Sequence, residues 1–255
     1  MARGRIKLGN NIPVQCPLIP DPFVPYHCPG NRTLYAVCRG RKRAQARFLK
    51  PTPFEAVGDL FLVAVSDFSN CDKVAYMDAA VVLPIAYKGR PGGNYLFEYE
   101  NDDRAIAAGR DLWGYPKKYA AITMSPTAKC VRAAAVRHGK TILALEVDLS
   151  KPVADLPQPK VTPHFNFHVL PRAEGPGWRE ARVIERDTSP DFELLSHKTG
   201  RARVSLKSLP GDPLGEMAPF EVLGGGLVVG NFHAQGKNGW GRVRETIRNG
   251  RALRG

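Results

Sequence analysis

The sequence predicts a mainly β fold of the α+β class, arranged as a barrel or as curved antiparallel sheets with a few short helices. Most of its apolar stretches are short and rich in β-branched or aromatic residues. Turn residues separate these stretches, and few segments favour a helix. A length of 255 residues suits a single domain spanning 1–255, with a proline-rich arm at 1–30 and a basic tail at 236–255.

The strongest strand signals lie in the first half of the chain. Residues 59–68 read DLFLVAVSDF, 74–87 read VAYMDAAVVLPIAY and 95–99 read YLFEY, with a turn predicted at 89–93. A loop is predicted at 156–163, and the glycines at 224–226 indicate a bulge or a close backbone approach. Further strands are predicted at 33–37, 129–136, 141–147, 165–170, 180–186, 201–206 and 220–232.

Two short helices interrupt this pattern. One is predicted at 41–49, where Pro51 stops it, and the other at 104–113. Asp102 or Asp103 would cap the second helix, and Gly114 would end it. The prolines of the N-terminal arm cannot continue a helix or donate to a sheet, so the arm is expected to be extended and irregular.

The composition favours a protein of the cytoplasm. The five cysteines are widely spaced and form no C-x-x-C pair, so we expect free thiols in a reducing compartment. No apolar run is long enough to span a membrane, and the first residues do not read as a signal peptide.

The net charge of +13 raises the question of nucleic-acid binding. Aromatic residues do not alternate with the basic clusters, as they do in single-strand binders, so solvated surface is the simpler interpretation. A non-catalytic protein that binds anions or nucleic acid stays as an alternative, and it predicts binding that weakens steeply with salt. The clusters are Arg39, Arg41, Lys42, Arg43, Arg47 and Lys50, and in the tail Arg242, Arg244, Arg248, Arg251 and Arg254.

Lys117 and Lys118 form the most unusual local feature. They follow Pro116 and the aromatic residue Tyr115 in apolar surroundings. Only a neutral amine attacks a ketone, and at an ordinary lysine pKa about 1 in 2,500 molecules is neutral at pH 7. We expect burial to lower the pKa of Lys117. If this segment is a strand, neighbouring side chains point to opposite faces, and Lys118 is then secondary.

The segment AIAAGRDLWGYPKKYA at 105–120 resembles the signature of the acetoacetate decarboxylase family. This resemblance implies that Lys117 forms a Schiff base and that Lys118 is its basic neighbour. It also implies that Arg32 lines the active site and that Asp78 replaces a family glutamate, while a second family glutamate falls at Val63. Weaker similarity extends to the segment VLGGGLVV at 222–229.

The family resemblance further implies a β-cone or closed barrel-like fold, a homo-oligomer, and a small keto-acid substrate handled without a cofactor. The expected reaction is decarboxylation of a β-keto acid such as acetoacetate to a methyl ketone and carbon dioxide, by a lyase. The shortened Asp78 and the missing glutamate support an alternative, a Schiff-base aldolase or dehydratase acting on pyruvate-like keto acids.

His164 and His168 have the i, i+4 spacing of some metal ligands. The segment reads as a strand, where both side chains can share a face, but no third ligand is apparent nearby. We therefore expect packing or pocket-lining roles for these histidines, and no metal site.

Overall fold

Strands dominate the computed structural model, which describes residues 9–248. They hold 53% of the residues, against 11% in helices, which confirms the mainly β prediction. The strands are β1 Tyr26–Arg39, β2 Glu55–Ala56, β3 Leu60–Phe68, β4 Tyr76–Tyr87, β5 Arg90–Glu100, β6 Lys117–Tyr119, β7 Ala121–Pro126, β8 Cys130–Arg137, β9 Lys140–Asp148, β10 His164–Pro171, β11 Trp178–Arg186, β12 Glu193–Leu206, β13 Glu221–Ala234 and β14 Arg242–Arg248.

The helices are few and short, as the sequence predicts. Helix α1 spans Lys42–Leu49, and α2 spans Asp103–Ala107 and continues into a π-helical turn at Ala108–Leu112. The carboxylate of Asp102 accepts hydrogen bonds from two backbone amides of α2, so it is the predicted cap. Single 3-10 turns lie at Ser189–Asp191 and Leu214–Met217.

The strands form one long, mostly antiparallel sheet. Its order is β14-β11-β10-β5-β4-β3-β1-β13-β12-β9-β8-β7, with β2 beside β4 and β6 beside β5. Within the described residues the two ends of this order do not pair with each other, so the expected closure into a barrel is absent. The short β6 is parallel to β5, and this pairing carries Lys117 into the sheet.

Both faces of the central strands are covered. On β3, Phe61 and Val65 face the main core, while Leu62 and Ala64 face a second, smaller apolar cluster. Such two-sided burial explains why β3 and β4 read as nearly continuous apolar runs. At β13, a Cβ on Gly225 would overlap the backbone that faces it, which confirms the predicted close approach.

Several predicted boundaries need correction. The turn between β4 and β5 is only Lys88 and Gly89, both at positive φ, so β5 begins at Arg90 instead of after residue 93. The basic tail is not loose where it is described, because β14 pairs with β11 and Arg244 binds Glu185 at 2.8 Å. Two tail arginines of the predicted cluster, at positions 251 and 254, lie outside the described residues.

The prediction of free thiols is wrong for two cysteines. Cys28 of β1 and Cys71 of the β3–β4 turn form a disulfide, because the fold brings their Cα atoms to 4.1 Å. Cys16, Cys38 and Cys130 are free. Among the described residues, no helix has the length and apolar character needed to cross a membrane.

From residue 9 to residue 25 the N-terminal arm is irregular, as predicted, but the predicted arm ends too late, because β1 begins at Tyr26. The arm is not detached from the domain. Ile19, Phe23 and Val24 are buried in an apolar cluster with Trp113 of the π-helical segment. The ring centroids of Phe23 and Trp113 lie 5.7 Å apart in an edge-to-face arrangement. The arm therefore forms part of the wall around the segment that precedes Lys117.

Candidate active site

Lys117 lies buried at the start of β6, with 9% of its surface exposed. Its Nζ is 2.9 Å from Oε1 of Glu98 and donates a hydrogen bond to Oε1 of Glu100. The rings of Tyr76 and Tyr115 lie within 6 Å of the ammonium. We call the enclosed space around this group, about 90 Å³ in volume, the lysine cavity; its walls include Tyr26, Tyr76, Asp78, Glu98, Trp113, Tyr115, His164 and Arg186.

Three carboxylates meet at Lys117. Asp78 is 6% exposed, Glu98 3% and Glu100 0%, and one carboxylate oxygen from each lies within 4.8 Å of the others. The strand register explains this: Asp78 pairs with Glu100 across β4 and β5, and Glu98 pairs with Lys117 across β5 and β6. Such a cluster of oxygen ligands is also suited to a metal ion. Here the Lys117 ammonium supplies the positive charge.

A β-bulge places the three carboxylates on the same face of the sheet. Near the hairpin turn Val82 pairs with Tyr95, but the next pair is Val81 with Phe97, so Leu96 is an extra residue on β5. If Leu96 were instead paired with Val81, Asp78 would pair with Tyr99, and Glu98 and Glu100 would point to the opposite face. Leaving Leu96 unpaired therefore brings the three carboxylates together.

The site holds two carboxylates that the sequence analysis did not assign to it. Val63, the position assigned to the second family glutamate, lies in the main core at 0% exposure. Glu98 and Glu100 supply carboxylates from β5 instead. Their spacing of two residues within YLFEYE, where alternate residues share a face, was the available sequence signal.

The prediction of a lowered lysine pKa is also wrong in sign for the unliganded protein. Burial lowers the pKa of Lys117, but the charges of Glu100, Glu98 and Asp78 together raise it well above its ordinary value. Burial in turn raises the pKa of Asp78 well above its usual range, and the pKa of Glu100 to about 7. Lys117 therefore carries its proton in the resting protein, beside acids able to accept it.

Two predicted site residues are not brought to the cavity. Arg32 is exposed, since it alternates with Asn31 and Thr33, whose side chains face the interior of the fold. Lys118 points away from Lys117, and its Nζ lies 2.9 Å from Oδ1 of Asp212. The expectation that neighbouring lysines of a strand point to opposite faces is confirmed.

A different arginine lines the cavity. Arg186, at the end of β11, is 7% exposed, and its guanidinium carbon lies 3.9 Å from the ring centroid of Trp113. It donates hydrogen bonds to the hydroxyl of Tyr26 and the carbonyl of Gly239, each 2.8 Å long. Sequence reasoning missed Arg186, because only the sheet order brings β11 toward β5.

One of the two histidines lines the cavity and the other packs against the backbone, in keeping with the pocket-lining and packing roles expected for them. His164 lines the lysine cavity, and its Nδ1 lies 2.9 Å from the hydroxyl of Tyr115. Burial, with a smaller effect from Arg186, lowers the pKa of His164 to about 4, so the ring is neutral at physiological pH. His168 packs against Gly114 outside the cavity.

Steric contacts explain why the motif has glycine at two positions. A Cβ on Gly109 would overlap Cε and Cδ of Lys117, so this glycine makes the space in which the lysine side chain lies. Gly114 has φ +72° and packs against the backbone of His168. A Cβ atom on Gly114 would overlap this backbone. The π-helical turn between them is closed by a bond from the Tyr115 amide to the Gly109 carbonyl, 3.1 Å long.

Gly109→Ala is expected to displace the end of the Lys117 side chain and lower kcat by about 10²-fold, the typical cost of a misplacement near 1 Å. Steady-state kinetics with acetoacetate measures the effect. Gly175→Ala is the matched control, because Gly175 has open space around its Cα. A Gly109→Ala protein with kcat within twofold of the parent would show that the close packing does not position the lysine.

The site is a small cavity that holds an amine among carboxyl groups within a mainly β fold, and such an amine, once neutral, can form a Schiff base with a carbonyl compound. Residues 12–239 match the family model described as acetoacetate decarboxylase. The chain belongs to the acetoacetate decarboxylase family.

Individual relatives agree with this membership. The chain is 26% identical to an acetoacetate decarboxylase of Ralstonia nicotianae over 206 residues, which cover 76% of this chain and 79% of the relative. An acetoacetate decarboxylase-like enzyme from Sphingomonas wittichii RW1 superposes with a TM-score of 0.80 at 19% identity, over 94% of this chain and 100% of that one. The enduracididine biosynthesis enzyme MppR, solved with the condensation product of pyruvate and imidazole 4-carboxaldehyde, superposes with a TM-score of 0.74 at 18% identity, over 95% and 98%.

Proposed function

We propose that the protein decarboxylates a β-keto acid such as acetoacetate through a Schiff base on Lys117. The observation that carries this proposal is the contact of one buried amine with two buried carboxylates inside the lysine cavity. An amine in that position is covered from bulk water and has proton acceptors in direct contact. Membership of the acetoacetate decarboxylase family supports the same reaction.

The first step is proton transfer within the cluster. The Lys117 ammonium gives a proton to Glu100, whose pKa of about 7 makes it a suitable acceptor near neutral pH. The neutral amine adds to the ketone carbon, and the resulting carbinolamine loses water to form an iminium. The carbinolamine oxygen leaves as water after the protonated carboxyl groups return protons to it. The carboxylates therefore act first as a base and then as an acid.

The second step is loss of carbon dioxide. The electrons of the bond to the carboxylate move toward the iminium nitrogen, which leaves an enamine. Burial raises the pKa of Asp78 well above its usual range, so this carboxyl is the proposed donor of a proton to the enamine carbon. Hydrolysis of the new iminium releases the methyl ketone and restores Lys117.

Arg186 is the proposed partner of the substrate carboxylate. It is a guanidinium on the wall of the lysine cavity, held in place by Tyr26 and Trp113. A planar donor pair suits a carboxylate, whereas Glu98 and Glu100 on the opposite strand repel one. The substrate would therefore lie with its carboxylate toward β11 and its ketone toward β6.

An aldolase or dehydratase acting on pyruvate-like keto acids is the second candidate. MppR, a structural relative, was solved with pyruvate and with a condensation product of pyruvate and an aldehyde. The first step on Lys117 would be the same in both reactions. Carbon dioxide release from acetoacetate, compared with carbon–carbon bond formation between pyruvate and an aldehyde, separates the two. A protein that performs neither reaction would contradict the proposal.

The pH dependence of kcat/KM is expected to show an acid limb near pH 7. Below that pH Glu100 is protonated and cannot accept the proton of Lys117; above it the carboxylate is free to do so. The rate should therefore rise with pH through about 7. Glu100→Gln should lower kcat/KM by about 10²-fold and remove this limb. Glu174→Gln, on the exposed surface, is the control that should keep both the rate and the acid limb of the pH profile. An unchanged acid limb in Glu100→Gln would exclude Glu100 as the proton acceptor.

A further inference from the structure

A second and larger cavity adjoins the lysine cavity. We call it the apolar cleft; its volume is about 430 Å³, and its floor is the face of β1, β3 and β4 that carries Thr33, Ala64 and Ala80. The segment 158–162 and Phe192 cover it. Six residues line both spaces, so the two cavities are direct neighbours: Ser66, Phe68, Asp78, Tyr95, Thr188 and Phe232.

The two volumes suit different parts of one ligand. The lysine cavity, at about 90 Å³, is smaller than the cavity of about 150 Å³ that holds benzene, so it suits a small polar head. The apolar cleft is nearly three times the size of that benzene cavity and falls within the range of about 300–1,000 Å³ that encloses small-molecule ligands.

Several polar groups on the floor of the cleft already bond to other protein groups. The Asn31 side chain donates to the Asp67 carbonyl at 2.9 Å, and the hydroxyls of Thr33 and Ser66 lie 2.9 Å apart. The Tyr35 hydroxyl lies 2.8 Å from Nε2 of His197. A ligand in the cleft need not replace these bonds, so an apolar group can occupy it without leaving buried polar atoms unpaired.

The distribution of charged residues also favours an apolar group in the cleft. Among the described residues that line the cleft there is no lysine or arginine, and its one acidic residue, Asp78, lies at the junction with the lysine cavity. The positive groups Lys117 and Arg186 both belong to the lysine cavity. A phosphate or a second carboxylate would find no counter-charge in the cleft, whereas Leu62, Val82, Phe192 and Phe232 offer apolar contact.

We propose that the apolar cleft binds an aliphatic or aromatic tail on the ketone, so that the substrate is a β-keto acid with a substituent much larger than the methyl group of acetoacetate. This inference rests on the proposed function, because it places the ketone at Lys117. The small residues Ala64 and Ala80 set the depth of the cleft, since they pair with each other across β3 and β4. Their neighbours Val63 and Val81 face the main core.

Binding of the product ketone tests the cleft without requiring turnover. Calorimetry compares 4-phenylbutan-2-one with acetone on the parent protein, Ala64→Leu and Ala134→Leu, a control on β8 away from both cavities. The parent should bind the phenyl ketone at least about 100-fold more tightly than acetone. Ala64→Leu should remove about tenfold or more of that preference, while Ala134→Leu should keep it. Equal affinities for the two ketones in the parent would overturn the proposal.

Turnover provides the second readout. The substrates are acetoacetate and 5-phenyl-3-oxopentanoate, which decarboxylates to 4-phenylbutan-2-one. The ratio of their kcat/KM values should favour the phenyl substrate in the parent and fall in Ala64→Leu and in the milder Ala80→Val, each checked for folding by its melting temperature. Turnover of acetoacetate with no preference and no effect of either substitution overturns the tail site alone. Tight binding of the ketone without turnover of either substrate supports the tail site and overturns the proposed function.

Discussion

Lys117→Ala is expected to reduce decarboxylation of β-keto acids by at least about 10⁴-fold, because it removes the only amine in the lysine cavity among the described residues. The remaining wall still binds the substrate through Arg186, so KM should change far less than kcat. Steady-state assays of carbon dioxide release measure both constants.

Lys118→Ala is the matched control, because it changes the adjacent lysine of the same strand. Its ammonium lies on the other face against Asp212, about 40% exposed, and does not enter the cavity. We expect kcat within about tenfold of the parent. Any decrease in kcat would come from loss of the contact between Lys118 and Asp212. A Lys117→Ala protein that keeps full turnover would contradict the assignment of Lys117 as the reactive amine.

Lys117→Met is expected to lower the free energy of unfolding by about 3–5 kcal/mol near pH 8, as loss of one partner of a buried ion pair typically does. The substitution keeps most of the side-chain volume but leaves Asp78, Glu98 and Glu100 without their cation. Chemical denaturation measures the difference. Adding Glu100→Gln to Lys117→Met should recover part of the loss, because it removes one of the unpaired charges.

The loss should depend on pH in a defined direction. A carboxyl whose pKa is raised in the folded state contributes less stability as pH rises from its ordinary pKa toward the raised one. The pKa values of Asp78 and Glu100 are raised in this way, the latter to about 7. The charge of Lys117 lowers both pKa values, so they rise further in Lys117→Met, and the deficit of this variant should grow as the pH rises above about 7.

Lys118→Met provides the comparison for stability. Its partner Asp212 keeps a second cation, since Nε of Arg137 lies 2.9 Å from the other carboxylate oxygen. The pair is also partly exposed, so we expect a loss of about 1 kcal/mol or less with little pH dependence. Equal losses in Lys117→Met and Lys118→Met at every pH would show that the carboxylate cluster does not depend on Lys117.

Much of the fold follows from local sequence. The apolar runs of β3 and β4, the cap at Asp102, the glycine stop at Gly114 and the irregular arm all depend on interactions within a few residues. The short strands that the prediction missed, such as β6 and β14, are stabilised by neighbours far away in sequence. Their residues carry little strand signal of their own.

The sequence predicted the nucleophile of the site, but it predicted less about the residues around that nucleophile. The segment around Lys117 identifies the lysine, and alternation along the strand separates it from Lys118. The predicted charge state was wrong because it depends on Glu98 and Glu100, and they face Asp78 only because a β-bulge leaves Leu96 unpaired. Arg186 enters through long-range strand order, which no local pattern of the sequence contains.

Borohydride reduction in the presence of acetoacetate, followed by peptide mass mapping, tests the central claim most directly. Reduction of the iminium formed after decarboxylation should leave an isopropyl group on Lys117, and the adduct should be absent without substrate and in Lys117→Ala. An adduct confined to other lysines, or full turnover in borohydride with Lys117 unmodified, would contradict the account.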